Sequence, residues 1–333
     1  MKAAFYERQG AARDVLTVGE LPMPEPGPNE VRVRIHVSGL NPTDVKARTG
    51  FSSALPYPRI IPHQDGAGVI DAVGVNVSPD RVGERVWLYE AQYGRATGTA
   101  AEFVVVPSSH AVRLPDNASF DVGASLGIPA LTAHRCLFSD GSLAGRRALV
   151  HGGAGVVGTA AILLAKWAGA WVATSVTNAE QATVAKENGA DLVIDRHAAE
   201  VASLVLDATG GFGVDRIVDV DLKSNLAVDM ACVSQGGVIS SYAMTHATDE
   251  LSVPLLKAMM HGCVLRFVYI YHVPDEAKQT AVRDVVACVA AGAYSPRIGM
   301  KVPLESIVDA HEALESGRVI GKVLVHSRFD IDR

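Results

Sequence analysis

The stretch Arg147-Ala148-Leu149-Val150-His151-Gly152-Gly153-Ala154-Gly155-Val156-Val157-Gly158 decides the fold. Its first five residues form a short apolar run that reads as a buried strand. The glycines at 152, 155 and 158 then open an apolar segment reaching about Ala168, where Gly169 supplies a helix stop. Strand, glycine turn and helix in that order make the phosphate-binding corner of a dinucleotide fold. The spacing is G-x-x-G-x-x-G rather than the usual G-x-G-x-x-G. The chemistry is the same. Glycine lets the backbone turn sharply, and the helix start offers free N–H groups and a positive dipole end to a diphosphate. A glycine turn without a ligand is the alternative, and the flanking pattern weighs against it.

Downstream, short apolar runs at 171–175, 191–194, 217–220, 237–241 and 263–270 alternate with helical patterns. Asn178 and Gln181 have capping-box spacing for one of these helices, and Gly189 ends it. Six strands alternating with helices predict a doubly wound parallel sheet. The last run is apolar on both faces and would leave an exposed sheet edge. Pairing with the same strand of a second copy is expected there; cover by a C-terminal segment is the alternative.

Upstream of Asp121 the pattern differs. Pro22, Pro24, Pro26 and Pro28 with Gly27 stiffen a turn, and 30–37 then alternates apolar and polar residues. With 102–106 this predicts a small, mostly antiparallel β domain. The tail predicts helices over 276–291 and 307–315 and a closing strand at 322–325.

The end of the second run selects the coenzyme. A site for NAD places Asp or Glu roughly 20 residues past the glycines, on the ribose 2′-hydroxyl. Here Ser175-Val176-Thr177-Asn178 stands there without an acid. Hydroxyls and an amide accept a 2′-phosphate that a carboxylate would repel, so NADP(H) is expected. Arg196 is either the cation that pairs with that phosphate or a solvated surface arginine.

The formal net charge is -6 over 333 residues, with no block of Lys or Arg, which argues against a nucleic-acid partner. No apolar run approaches the ~20 residues of a membrane span. Glu7 and Arg8 come too early for a signal peptide. A cytoplasmic location is expected, with Cys136, Cys232, Cys263 and Cys288 as free thiols.

Several motifs taken together carry a family resemblance. They are Ser38-Gly39-Leu40-Asn41-Pro42-Thr43-Asp44, the run from Asp65 to Gly74, Gly83-Glu84-Arg85-Val86, Ile128 to Ala133, His151 to Gly158, and Gly321-Lys322. The chain resembles the medium-chain dehydrogenase/reductase superfamily, in its zinc-free quinone oxidoreductase (zeta-crystallin-like) branch. The resemblance implies an α/β protein. A GroES-like, mostly antiparallel β catalytic domain would span 1–122 and 271–333, and a Rossmann NADP(H)-binding domain 123–270. It implies that Gly152, Gly155, Val156, Val157 and Gly158 hold the diphosphate. Ser175, Thr177, Asn178, Gln181 and Arg196 would surround the 2′-phosphate. Asn41, Thr132, Tyr242, Phe267 and Tyr269 would lie toward the nicotinamide, and Lys322 would be a further coenzyme contact.

By the same resemblance, the zinc-ligand positions of zinc alcohol dehydrogenases fall at Asn41, Gln64 and Ile128. These are poor or impossible zinc ligands, so no metal is expected. His63, one place off, is expected to be a loop histidine. Pocket positions that are often tyrosine in the branch hold Lys46, Ser52 and Ile60; Tyr57 and Tyr89 remain as pocket rings or plain packing. Lys46 is the candidate proton source, against a solvated loop lysine. The implied activity is NADPH-dependent reduction of a quinone. Reduction of an enone or 2-alkenal, or a non-catalytic NADPH-binding role of crystallin or RNA-binding type, stand as alternatives. A homodimer through the last strand of the Rossmann sheet is also implied.

Overall fold

The computed structural model describes residues 1–51 and 53–327. Its first strands are β1 (Lys2–Phe5), β2 (Thr17–Glu20), β3 (Glu30–Leu40), β4 (Asp65–Val73), β5 (Arg85–Leu88), β6 (Phe103–Pro107) and β7 (Ala111–Arg113). Helices α1 (Ala12–Val15), α2 (Pro42–Thr49), α3 (Phe120–Gly123) and α4 (Gly127–Phe138) punctuate and follow them. Strict alternation then begins: β8 (Arg147–His151), α5 (Val156–Trp167), β9 (Trp171–Val176), α6 (Ala179–Glu187), β10 (Leu192–Asp195), α7 (Val201–Ala208). It continues through β11 (Val214–Asp219), α8 (Leu222–Cys232), β12 (Val233–Ser241), α9 (Leu255–His261), β13 (Val264–Phe267) and α10 (Asp275–Ala290). The chain closes on β14 (Ile298–Pro303), α11 (Ile307–Glu315) and β15 (Lys322–His326).

Two compact units result. The first comprises Met1–Ile128 and the chain from Ile298 onward; the second is Pro129–Arg297. In the first, one sheet runs β14-β15-β3-β4-β5-β7, with β6 also paired to β3. Every pairing in it is antiparallel except β14 with β15. Along β3, Val31, Val33, Ile35 and Val37 are buried, as the alternation over 30–37 requires. Val31, Val33 and Ile35 pack on Ile70, Val86, Leu88, Val104 and Val106.

In the second unit the strand order is β10-β9-β8-β11-β12-β13, all parallel. This is the doubly wound Rossmann order, built outward from β8 in one direction and from β11 in the other. The order reverses between β8 and β11, so their C-terminal ends flank the switch point where ligands of such sheets bind. Helix α5 is buried over nearly its whole length because it is apolar all round.

Two expectations shift. The last strand, expected over 263–270, ends at Phe267; the chain leaves the sheet and turns through Ile270–His272. The structure divides the chain at 128/129 and 297/298, whereas sequence placed the divisions at 122/123 and 270/271. The second difference follows from α10. Its buried face includes Ala281, Val285, Cys288 and Val289, and Asp284 bonds His134 Nε2 of α4 at 2.8 Å, tying the helix into the second unit. Among the described residues no helix is long and apolar enough to cross a membrane.

Candidate functional site

The glycine corner is built from close approaches. Gly152 has φ +70°, and a Cβ on Gly158 would stand 2.2 Å from the Gly152 carbonyl oxygen. Only glycine lets the loop fold back on the helix start this tightly. Gly153 is as constrained: a Cβ there would meet Thr174 Oγ1 at 2.1 Å. Sequence reasoning passed over Gly153, although the Gly152-Gly153 doublet was its signal. The Gly152 and Gly153 amides donate to the Ser175 carbonyl at 3.1 and 3.3 Å, which pins the loop to β9. Gly155 is the N-cap of α5 without a side chain. The first-turn amides of Val156, Val157 and Gly158 therefore have neither a capping side chain nor an acceptor one turn back, and they are oriented for an anion.

Beyond β9, Thr177, Asn178 and Gln181 form one group. Gln181 N donates to Asn178 Oδ1 at 2.9 Å; Gln181 Oε1 accepts from Thr177 N at 3.0 Å and Thr177 Oγ1 at 2.9 Å. Asn178 caps the helix as its spacing predicts, but the expected capping box is not completed: the Gln181 side chain turns to Thr177 instead of the Asn178 amide. Arg196 is exposed just past β10. Ser175 does not join this group. It is buried, and its hydroxyl lies 2.8 Å from His151 Nδ1.

The remaining expected positions in the second unit come from separate elements. Thr132 is buried on α4. Tyr242 follows β12, its amide donates to the Asp219 carbonyl at 3.2 Å, and burial pushes its phenol up. Phe267 and Tyr269 are exposed, 69% and 55%, with the Tyr269 ring against Tyr271 and His272.

The first unit holds a separate buried polar cluster. Asn41 Nδ2 donates to Asp65 Oδ2 at 2.7 Å. Lys322 Nζ donates to Asn41 Oδ1 at 2.7 Å and to Asp65 Oδ2 at 3.0 Å. Asp65 Oδ1 accepts the Ile128 amide at 2.8 Å. Asn41 also caps α2 and receives Asp44 in return, Asn41 N to Asp44 Oδ2 at 2.7 Å. Burial, then the charge of Asp65, pushes the Asp44 carboxyl up to about 8. Gln64 is spent on Gln92 through two hydrogen bonds. These positions do not fit a zinc ion. Both amide atoms of Asn41 and both of Gln64 are committed, Ile128 has no donor, and the Lys322 ammonium already brings positive charge to Asn41 and Asp65.

Lys46, on α2, is half-buried with its Nζ 4.5 Å over the Phe51 ring, and burial lowers its pKa. His63 lies outside helix and strand as expected, but it is fully buried at φ +80°. Its Nδ1 meets Ser38 Oγ at 2.8 Å and its Nε2 meets His311 Nε2 at 3.1 Å. Nothing in the local sequence signalled this pair, because His311 is 248 residues away. Tyr89 is buried and stacked on His110, so it is packing; the Tyr57 hydroxyl bonds the Gly94 carbonyl at 2.6 Å. Ile60 is buried, and Ser52 lies outside the described residues.

Comparisons with known proteins agree with the two-unit fold. Residues 27–116 match the alcohol dehydrogenase GroES-like domain, and residues 156–290 the zinc-binding dehydrogenase family. A quinone oxidoreductase of Rattus norvegicus is 30% identical over 305 residues, 91% of this chain and 91% of that protein. An NAD-dependent alcohol dehydrogenase structure superposes with TM-score 0.87 at 28% identity, covering 98% of this chain and 99% of that one. A mycobacterial protein complexed with NADPH gives TM-score 0.82 at 27% identity, again over 98% and 99%. A GroES-like unit, a Rossmann unit and full-length similarity together mean that this chain belongs to the quinone oxidoreductase branch of the medium-chain dehydrogenase/reductase superfamily.

Proposed function

We propose that the chain is a zinc-independent reductase that uses NADPH to deliver hydride to a quinone. The observation that carries this is the glycine-led start of α5 beside an acid-free end of β9. The first feature suits a diphosphate and the second a 2′-phosphate. NADPH supplies the hydride when bound. Amides of Val156, Val157 and Gly158 bind its diphosphate, while Thr177, Asn178, Gln181 and Arg196 receive the 2′-phosphate. Thr132, Tyr242, Phe267 and Tyr269 serve its nicotinamide end. Lys46 is the proposed proton source for the oxygen that gains charge, because a lysine with lowered pKa gives up its proton more readily. The Lys46→Met variant should then lose about 100-fold in kcat while its NADPH affinity stays unchanged.

The test is stopped-flow oxidation of NADPH with quinones and, separately, enones in metal-free buffer. Turnover with quinones is expected. Turnover with enones alone would move the acceptor class, and none with any acceptor would remove the enzymatic reading.

A homodimer belongs to the same proposal. Leu255, Leu256, Met259 and Met260 of α9 are each 72–77% exposed beside the open edge of β13. Such a patch, on the helix that leads into an edge strand, suits an interface, and a second copy of β13 would complete it symmetrically. The cytoplasm, where its free thiols stay reduced, is the proposed setting.

A further inference from the structure

The ends of three neighbouring strands are joined by a buried network that the coenzyme chemistry does not use. His151 ends β8, Ser175 lies one residue before the end of β9, and Asp219 ends β11; Asp229 reaches them from α8. Asp219 and Asp229 have no exposed surface, and His151 has 4%. His151 Nδ1 meets Ser175 Oγ at 2.8 Å, and His151 Nε2 meets Asp229 Oδ1 at 2.8 Å and Asp219 Oδ2 at 4.0 Å. Asp219 Oδ1 accepts from the Asp221 amide and from Asn225 Nδ2. Among the described residues no donor reaches Asp219 Oδ2 or Asp229 Oδ2, although the two carboxyls are in contact. Two facing buried carboxyls beside one imidazole cannot all stay unprotonated cheaply.

We propose that Asp229 and Asp219, with His151 and Ser175, form a positioning network that holds one trapped proton under the glycine corner and so keeps it able to accept the coenzyme diphosphate. The connection is short. Gly152 and Gly153 hang from the Ser175 carbonyl, and Gly152 directly follows His151. With the proton present, the carboxyl pair carries one negative charge and the strand ends stay tied. Without it, two carboxylates repel each other beneath a loop that must receive an anion. Burial, together for Asp219 with the neighbouring Asp229, pushes both carboxyls up to about 7; burial lowers His151, which stays neutral. Other groups facing the network are Cys136 of α4, Cys232 of α8 and Tyr242 after β12, all pushed up by burial and neutral, with Arg196 past β10 opposing protonation of His151.

The inference rests on the coenzyme reading above. The test is NADPH affinity and KM between pH 6 and 8.5 for the wild type, Asp229→Asn, Asp219→Asn and Ser175→Ala. The 2′-phosphate titrates in all four proteins and cancels in the comparison. The wild type should weaken roughly 10-fold across that range, as coupling of one pKa unit predicts. Both Asn variants should flatten this loss, with kcat at saturating NADPH retained. Ser175→Ala should keep the pH profile. Calorimetry of wild-type binding at pH 7.5 in two buffers of different ionisation enthalpy should show proton uptake in excess of that seen with Asp229→Asn, and on its own should show it even if a variant fails to fold. A wild-type profile matched by both Asn variants, or no proton uptake by the wild type, overturns the proposal while leaving the coenzyme reading intact. Absence of NADPH binding overturns both.

Discussion

Single atoms decide whether the coenzyme corner works. A side chain at Gly158 would need a carbonyl oxygen 2.2 Å away to move. Gly158→Val should therefore weaken NADPH binding at least about 100-fold, a loss of about 3 kcal/mol, read by fluorescence titration. Two buried titratable groups act in opposite senses on stability. Asp44 stays neutral in the fold up to about 8, whereas its unfolded value is 3.8, so its contribution is lost as pH rises through that window. His311, held at about 3 against 6.5, takes up its proton only in the unfolded chain, so its contribution is lost as pH falls below 6.5. Urea midpoints between pH 4.5 and 6 check this. Asp44→Asn should tilt the stability curve upward with pH by about 1.4 kcal/mol per unit, and His311→Gln should tilt it downward by a similar amount. Unchanged slopes would mean these groups titrate normally. The glycines at 152, 155 and 158 were legible because their spacing follows a strand and opens a helix. The His63–His311 pair was not, because no local pattern links residues 248 positions apart.

At the scale of elements, Lys322 is the clearest tie. It opens β15 and reaches Asn41 at the head of α2 and Asp65 at the start of β4. Removing one partner of a buried pair leaves the other charge uncompensated. Lys322→Met should therefore cost about 3–5 kcal/mol and lower the unfolding midpoint measured by calorimetry. A loss below 1 kcal/mol would show that the pair is not a structural tie. The alternating strands and helices from β8 to β12 were readable because buried parallel strands are short apolar runs. The end of β13 was not. The run over 263–270 stays apolar past Phe267 because it continues into buried Ile270 and Tyr271, and hydrophobicity alone does not mark where a chain leaves a sheet. Likewise α10 looked like part of the tail, and only its packing assigns it to the second unit.

The chain comprises a GroES-like unit and a Rossmann unit, and the proposed homodimer would cover the exposed apolar side chains of α9. Met259→Glu with Leu256→Glu should turn a dimer into a monomer by light scattering, with the fold retained. A wild-type monomer at micromolar concentration would contradict the proposed assembly. The sequence made the dinucleotide fold legible through one glycine turn. It hid the polar networks of both units, because each draws its members from distant segments. The central claim is that the start of α5 binds NADPH. Isothermal titration calorimetry with NADPH and with NADH tests it most directly. Saturable heat with NADPH, tighter than with NADH and lost in Gly158→Val, is the predicted result; no heat from either coenzyme at millimolar concentration would contradict it.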